Sequence, residues 1–133
     1  MDHKKELLAG ARKARRKAYA PYSNFRVGAA VLGGNGKIYS GCNVENASFG
    51  LTCCAERNAV FAMVADGEKR VREVLVVGGS DEFLPPCGAC RQVLAEFAEP
   101  GARVHMCQEK GECRSTTVGD LLPFLFRLKK GKR

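Results

Sequence analysis

Two cysteine-containing stretches combine residue types that could hold a metal ion and move a proton. Cys54-Ala-Glu56 begins one helical pattern, and Pro86-Cys87-Gly-Ala-Cys90 begins another. Three thiolates would leave a fourth position of a zinc ion open, which is typical of catalytic zinc sites, and zinc lowers the pKa of bound water to about 7. The sequence therefore predicts a site for one Zn²⁺ on Cys54, Cys87 and Cys90. Glu56 is predicted to be the catalytic proton shuttle and not a ligand.

Three thiolates give a zinc site a net charge of minus one, which weakens the metal as an acid. Cys54 and Cys87 stand where helices are predicted to begin, so positive helix ends and unpaired N–H groups would point at the sulfur atoms. Arg57 follows Cys54 by three residues and is near enough to donate hydrogen bonds to the thiolates. We expect these groups to withdraw the excess negative charge.

A redox role is one alternative for the same cysteines. A Pro-Cys-x-x-Cys sequence after a strand is also typical of thioredoxin-like proteins, but a redox role would leave Glu56 and Arg57 unexplained. His105 lies within an apolar run and is predicted to be structural or exposed. The remaining four cysteines are predicted to be reduced thiols, because nothing in the sequence indicates secretion. They are Cys42, Cys53, Cys107 and Cys113.

The apolar pattern predicts the helices and strands that must position these groups. It indicates a basic amphipathic helix that ends before Pro21, a glycine-turned hairpin and a continuous buried strand, with helices and a further strand after them. The predicted strands are 26–32, 37–42, 74–77 and 103–107; the helices begin at 54 and 87; residues 108–115 are a polar loop; and 118–125 form a short helix or turn. We expect a three-layer α/β/α domain with a mixed sheet of about five strands.

Five ordered motifs extend over nearly the whole chain. They are Tyr19-Ala-Pro-Tyr-Ser-Asn-Phe25-Arg-Val-Gly-Ala-Ala30, Gly41-Cys-Asn43-Val-Glu45-Asn46-Ala, Cys54-Ala-Glu56-Arg57, Pro86-Cys87-Gly-Ala-Cys90-Arg-Gln-Val and Leu121-Leu122-Pro123. With these motifs the sequence resembles the short, homotetrameric, zinc-dependent cytidine deaminases of pyrimidine salvage. The resemblance implies a hydrolase of cytidine-deaminase-like fold that converts cytidine and 2′-deoxycytidine to uridine and 2′-deoxyuridine and releases ammonia.

The same resemblance implies roles for substrate-binding residues. Phe25 would pack against the pyrimidine ring, Asn43 and Glu45 would hold a ribose hydroxyl, and Ala55 would also contact the substrate. A carboxylate that accepts from the 3′-hydroxyl would repel a phosphate there. We therefore expect a free nucleoside as substrate, with deamination of a polynucleotide or another base as the alternative.

Two further aromatic residues are implied to act across subunit boundaries. Phe126 would stack on a base bound to an adjacent protomer of the tetramer. Phe49 stands where many relatives carry tyrosine, so a stacking role is retained and any contact of the tyrosine hydroxyl is lost.

Basic charge is concentrated at the two ends of the 133-residue chain, which carries a formal net charge of +8. Residues 1–20 and 127–133 each carry a net +5, whereas residues 21–126 carry a net −2. This distribution favours a solvated helix and a tail over a nucleic-acid groove. We predict one deaminase domain over residues 1–126 and a basic tail over 127–133, with no nucleic-acid partner.

The longest apolar run of signal-peptide type, residues 59–65, is too short to cross a bilayer. The charged start of the sequence does not have the pattern of a signal peptide. The sequence therefore predicts a cytoplasmic protein that does not interact with a membrane.

Overall fold

A glycine-rich turn at residues 33–36 reverses the chain between the first two strands, as the sequence predicts. The computed structural model describes residues 3–131; Met1, Asp2, Lys132 and Arg133, and with them the end of the predicted tail, lie outside the described residues. The elements are α1 (Lys4–Arg15), β1 (Val27–Gly33), β2 (Ile38–Cys42), a 3₁₀ turn (Phe49–Leu51), α2 (Ala55–Ala65), β3 (Val71–Gly78), α3 (Gly88–Phe97), β4 (Ala98–Cys107), β5 (Cys113–Thr117) and α4 (Val118–Leu121).

The five strands form one mixed sheet in the order β2-β1-β3-β4-β5. Only the β3–β4 pair is parallel among the four strand pairs of the described chain, and α3 makes the crossover between these two strands. The carboxyl end of β3 therefore precedes the loop that leads into α3.

Alternate residues of β1 build the core on both faces of the sheet. Ala29 and Val31 belong to the cluster under α2 and α3, whereas Ala30 and Leu32 pack with Leu7 of α1. Each fully buried Val or Leu side chain contributes about 1.5–3 kcal/mol from removal of apolar surface from water. The predicted three-layer α/β/α architecture is confirmed.

Close packing of α1 on β1 depends on Gly28. A Cβ atom at this position would lie 1.9 Å from the Ala11 carbonyl oxygen in α1, so only glycine lets the helix approach the strand this closely.

Strand β5 corrects the prediction of a polar loop over residues 108–115. Its sequence, Cys-Arg-Ser-Thr-Thr, has no apolar alternation, but it pairs antiparallel with β4 at the edge of the sheet. Pairing with β4, and not the local propensity of this sequence, therefore determines its conformation.

A disulfide between Cys107 and Cys113 corrects the prediction that both are free thiols. The two residues lie directly opposite each other in β4 and β5, with their Cα atoms 4.0 Å apart. Because the sequence predicts a loop over residues 108–115, it does not place Cys113 opposite Cys107. Cys42 and Cys53 are free, as predicted.

His105 is structural, which was one of the two predicted possibilities. Its side chain is buried, Nε2 lies 2.8 Å from Glu73 Oε1, and Nδ1 lies 2.6 Å from Ser115 Oγ. These contacts join the side chains of β3, β4 and β5.

The chain from residue 122 to residue 131 has no helix or strand. Within residues 3–131, no helix has the length and apolar character needed to cross a membrane.

Candidate active site

Helices α2 and α3 both begin directly after a cysteine. Cys54 and Cys87 are the N-cap residues, with extended backbone angles (φ −71°, ψ 157° and φ −67°, ψ 169°). Their sulfur atoms therefore lie next to the positive ends of two helices, as the sequence predicts. This arrangement stabilises negative charge on sulfur.

Three sulfur atoms meet where these helices begin. Cys54 Sγ lies 3.8 Å from Cys87 Sγ, which lies 3.4 Å from Cys90 Sγ, and all three are within 4.8 Å of one another. Cys90 is buried, Cys54 is half-buried and Cys87 is exposed. Solvent therefore reaches one side of the cluster, and its inner side is closed by protein.

The electrostatics of the cluster fit a divalent cation. A hydrogen bond with the Cys90 thiol, assisted by Arg57, lowers the pKa of Cys54 to about 5. The same bond, together with burial, raises the pKa of Cys90. Because neighbouring thiols resist joint ionisation, a cation is needed for all three to become thiolates. Three soft sulfur donors suit zinc.

Glu56 is buried on the first turn of α2, and only 5% of its surface is exposed. Burial is the main cause that raises its pKa to about 7, and the charge of Cys54 raises it further. A carboxyl group with a pKa near neutrality can both accept and donate a proton. Glu56 does not belong to the metal-ligating group of three cysteines.

Arg57 holds the Cys54 sulfur from the protein side. Its NH2 group donates to Cys54 Sγ at 3.5 Å and to the Thr52 carbonyl at 3.4 Å. The hydrogen bond to the Cys54 thiolate raises the pKa of Arg57, so its positive charge is permanent. The side chain therefore occupies the place that the sequence predicts.

A cleft of about 380 Å³ lies beside Glu45. It is lined by Tyr22, Ser23, Glu45, Asn46, Phe49 and Thr52. Glu45 Oε1 accepts from the backbone N–H groups of Tyr22 at 2.9 Å and Ser23 at 3.1 Å, and Oε2 accepts from the Ser23 hydroxyl. The Ser23 hydroxyl is the main reason that the pKa of Glu45 is lowered. The cleft therefore carries an ionised group that accepts hydrogen bonds.

The amide of Asn43 holds the backbone around Phe25. Its Oδ1 accepts from the Val27 N–H at 2.8 Å, and its Nδ2 donates to the Phe25 carbonyl at 2.9 Å. One N–H and one oxygen lone pair remain for a ligand. Phe25 is half-buried, and its ring lies near Gly78 at the carboxyl end of β3. The sequence did not predict this positioning contact of Asn43.

The other predicted substrate-binding residues differ in their surroundings. Ala55 is fully buried and is the first residue of α2, between Cys54 and Glu56. Phe49 lines the cleft with 79% of its surface exposed, and its ring is edge-on to Tyr22 with 6.4 Å between the ring centres. Phe126 is 70% exposed and is not among the residues that line the cleft within this protomer.

Sequence reasoning missed two side chains that organise the site. Ser23 holds Glu45, and Asn58 donates from Nδ2 to the Cys42 carbonyl at 2.8 Å, which joins α2 to the end of β2. The signal for Ser23 was its position in the motif over residues 19–30. No spacing rule indicated Asn58.

A family model described as the cytidine and deoxycytidylate deaminase zinc-binding region matches residues 1–107. The chain belongs to this deaminase family. It is similar to a cytidine deaminase of Sporosarcina psychrophila, with 48% identity over 126 residues that cover 95% of this chain and 92% of the relative. A cytidine deaminase of Halalkalibacterium halodurans is 45% identical over 120 residues, which cover 90% and 91% of the two chains.

The deaminase fold is also found in solved structures. A crystal structure of cytidine deaminase from Burkholderia pseudomallei superimposes with a TM-score of 0.88 and 48% identity, and the match covers 95% of this chain and all of that chain. The family match and the cluster of Cys54, Cys87 and Cys90 identify zinc as the cofactor of this deaminase.

Proposed function

We propose that this chain is a zinc-dependent hydrolase that converts cytidine and 2′-deoxycytidine to uridine and 2′-deoxyuridine with release of ammonia. The main support for the proposal is that buried Glu56 lies two residues after Cys54, the first of three cysteines whose sulfur atoms lie within 4.8 Å of one another. The family membership and the cytidine deaminases among its relatives support the same reaction.

Cys54, Cys87 and Cys90 would hold the metal. When bound, zinc would act as a Lewis acid that lowers the pKa of water, so that hydroxide is available at neutral pH. In our proposal, Glu56 takes a proton from the attacking water and delivers it to N3 of the base while the C4–O bond forms. It then transfers the proton of the new C4 hydroxyl to the amino group, which leaves as ammonia when the C4–N bond breaks and the C4 carbonyl forms. The burial that raises the pKa of Glu56 to about 7 suits both transfers.

The remaining residues would select and hold the nucleoside. Phe25 would pack on the pyrimidine, ionised Glu45 would accept a hydrogen bond from a ribose hydroxyl, and Asn43 would use its free amide N–H. Ala55 would contribute through the backbone at the start of α2. A phosphate on the 3′-oxygen would be repelled by Glu45, so a nucleoside is preferred to a polynucleotide.

The active form is proposed to be a homotetramer in which Phe49 and Phe126 act on neighbouring sites. The support is that both rings are mostly exposed on this protomer, at 79% and 70%. If light scattering showed a monomer in solution and this monomer were fully active, the arrangement would be contradicted. Residues 1–126 would be the deaminase domain and 127–133 a basic tail, and the cytoplasmic location stays a prediction.

Replacement of the proton shuttle tests the proposed reaction. Glu56→Gln is nearly isosteric but cannot transfer protons, so turnover of cytidine should fall by roughly 10²–10⁴-fold or more. Zinc content should remain near one ion per chain, because Glu56 is not a ligand. Ultraviolet absorbance follows cytidine loss, and metal analysis provides the control. Robust activity in the variant would refute the role of Glu56, and a preference of the unaltered protein for single-stranded polynucleotides would refute the nucleoside specificity.

A further inference from the structure

The segment that precedes β1 forms a fixed turn beside Glu45. The Asn24 N–H donates to the Ala20 carbonyl at 2.9 Å, and Asn24 has a φ of 58°, in the left-handed region. Asparagine tolerates this region better than most residues do. The turn therefore presents Ser23 in one orientation between Glu45 and Phe25.

Ser23 contacts both recognition elements with a single hydroxyl group. Its Oγ donates to Glu45 Oε2 and accepts from the Phe25 N–H at 3.0 Å. Its backbone N–H also donates to Glu45 Oε1 at 3.1 Å. The hydroxyl thereby connects the carboxylate that would accept from the ribose with the backbone of the ring that would pack on the base.

We propose that Ser23 is a positioning residue that couples ribose recognition by Glu45 to base recognition by Phe25. The inference rests on the proposed function and adds to it a residue that determines substrate affinity. Ser23 uses the proton of its hydroxyl toward Glu45 and a lone pair toward the Phe25 N–H, so its contribution is geometric and it does not take part in proton transfer.

Removal of the hydroxyl loosens Glu45 without releasing it. Two backbone donors, from Tyr22 and Ser23, would still hold Oε1, whereas Oε2 and the Phe25 N–H would lose their partner. A hydrogen bond to a charged group corresponds to a change of roughly tenfold or more in an equilibrium constant. We therefore expect Ser23→Ala to raise KM for cytidine about tenfold. kcat should change little, since Ser23 makes no hydrogen bond to the three ligand cysteines or Glu56 in the described chain.

A substrate without the 2′- and 3′-hydroxyls of the ribose separates the coupling from a general loss of structure. With 2′,3′-dideoxycytidine, Glu45 has no 3′-hydroxyl from which to accept a hydrogen bond, so Ser23→Ala should reduce kcat/KM clearly less than it does with cytidine. Ser23→Thr retains the hydroxyl and should restore KM. Ser40→Ala, which changes an exposed serine on β2, is the matched control and should leave KM for both substrates unchanged.

Each outcome of this comparison is decisive. A larger KM effect on cytidine than on dideoxycytidine, with rescue by threonine and an unaltered melting temperature, supports the coupling. Equal losses on both substrates with a lowered melting temperature would show a purely structural role and overturn it. An unaltered KM in Ser23→Ala overturns it as well, and leaves the proposed function intact. Failure of the unaltered protein to deaminate cytidine would instead remove the proposed function, and the coupling with it.

Discussion

Gly41 is the point at which β2 contacts α2, the helix that carries Glu56, the proposed proton shuttle. A Cβ atom built at this position would lie 2.5 Å from Ala59 N, 2.8 Å from the Ala55 oxygen and 2.9 Å from Asn58 C. All three atoms belong to the backbone of α2, which cannot move aside as a flexible side chain can. Gly41→Ala should therefore displace the start of α2, where Cys54 and Glu56 are held.

The size of the displacement follows from these distances. Ordinary contact begins at 3.4 Å, so the shortest contact of 2.5 Å must open by about 0.9 Å. Overpacking of this kind costs about 1–3 kcal/mol of stability. A misplacement of about 1 Å in a catalytic site can cost roughly 10²-fold in rate. We expect Gly41→Ala to lower kcat/KM for cytidine by about two orders of magnitude and to lower the melting temperature.

Gly10→Ala is the matched control for this substitution. A Cβ atom at Gly10 would lie 3.6 Å from Ile38 Cγ2 and 3.8 Å from Ala30 Cβ, which are ordinary contacts. Because alanine favours a helix interior over glycine by about 0.8–1 kcal/mol, this variant should be more stable and equally active. Calorimetry, metal analysis and ultraviolet assays of both variants test the reasoning. A Gly41→Ala protein with unaltered melting temperature and kcat/KM would show that the close approach of β2 to α2 is not required.

Three further substitutions test the metal cluster and the β5 edge. Arg57→Gln should lower zinc affinity or turnover by roughly 10–100-fold, because the Cys54 sulfur loses its guanidinium donor; equal zinc retention against a chelator and an unchanged kcat would contradict this. Cys113→Ser should cost about 2 kcal/mol in urea unfolding through loss of a short closed loop; no difference from the oxidised protein would argue against it. His105→Ala should cost about 2–4 kcal/mol in the same assay, because the contacts of His105 with Glu73 and Ser115 are lost, and an unchanged midpoint would show that these contacts do not stabilise the sheet.

The metal cluster and the layers were predictable because their signals are local. Cysteine spacing placed Cys87 and Cys90 on one helical turn, and the N-cap positions followed from where the apolar helices begin. The continuous apolar run at 74–77 correctly indicated a buried strand, because both of its faces are covered by helices.

The incorrect predictions concern contacts that the local pattern of apolar and polar residues does not show. β5 is polar and is held by β4, so its own sequence carries no strand signal, and the disulfide between Cys107 and Cys113 depends on that pairing. The backbone contacts of Asn43 were equally hidden. A polar residue after a strand can face a ligand or the chain itself, and only the folded structure shows that its amide already holds the Phe25 carbonyl.

A two-residue pairing joins the proposed nucleoside side of the site to the metal side. Val44 and Cys53 exchange backbone hydrogen bonds of 2.9 Å in both directions, so the residue before Glu45 is fixed to the residue before Cys54. A shift of the start of α2 should therefore move both Glu56, the proposed proton shuttle, and Glu45, the proposed ribose-binding carboxylate. For this reason Gly41→Ala should change kcat and KM together, whereas Ser23→Ala, which acts on the nucleoside side of the pairing, should change KM alone. If both variants changed kcat and KM in the same proportion, the Val44–Cys53 pairing would not transmit the displacement.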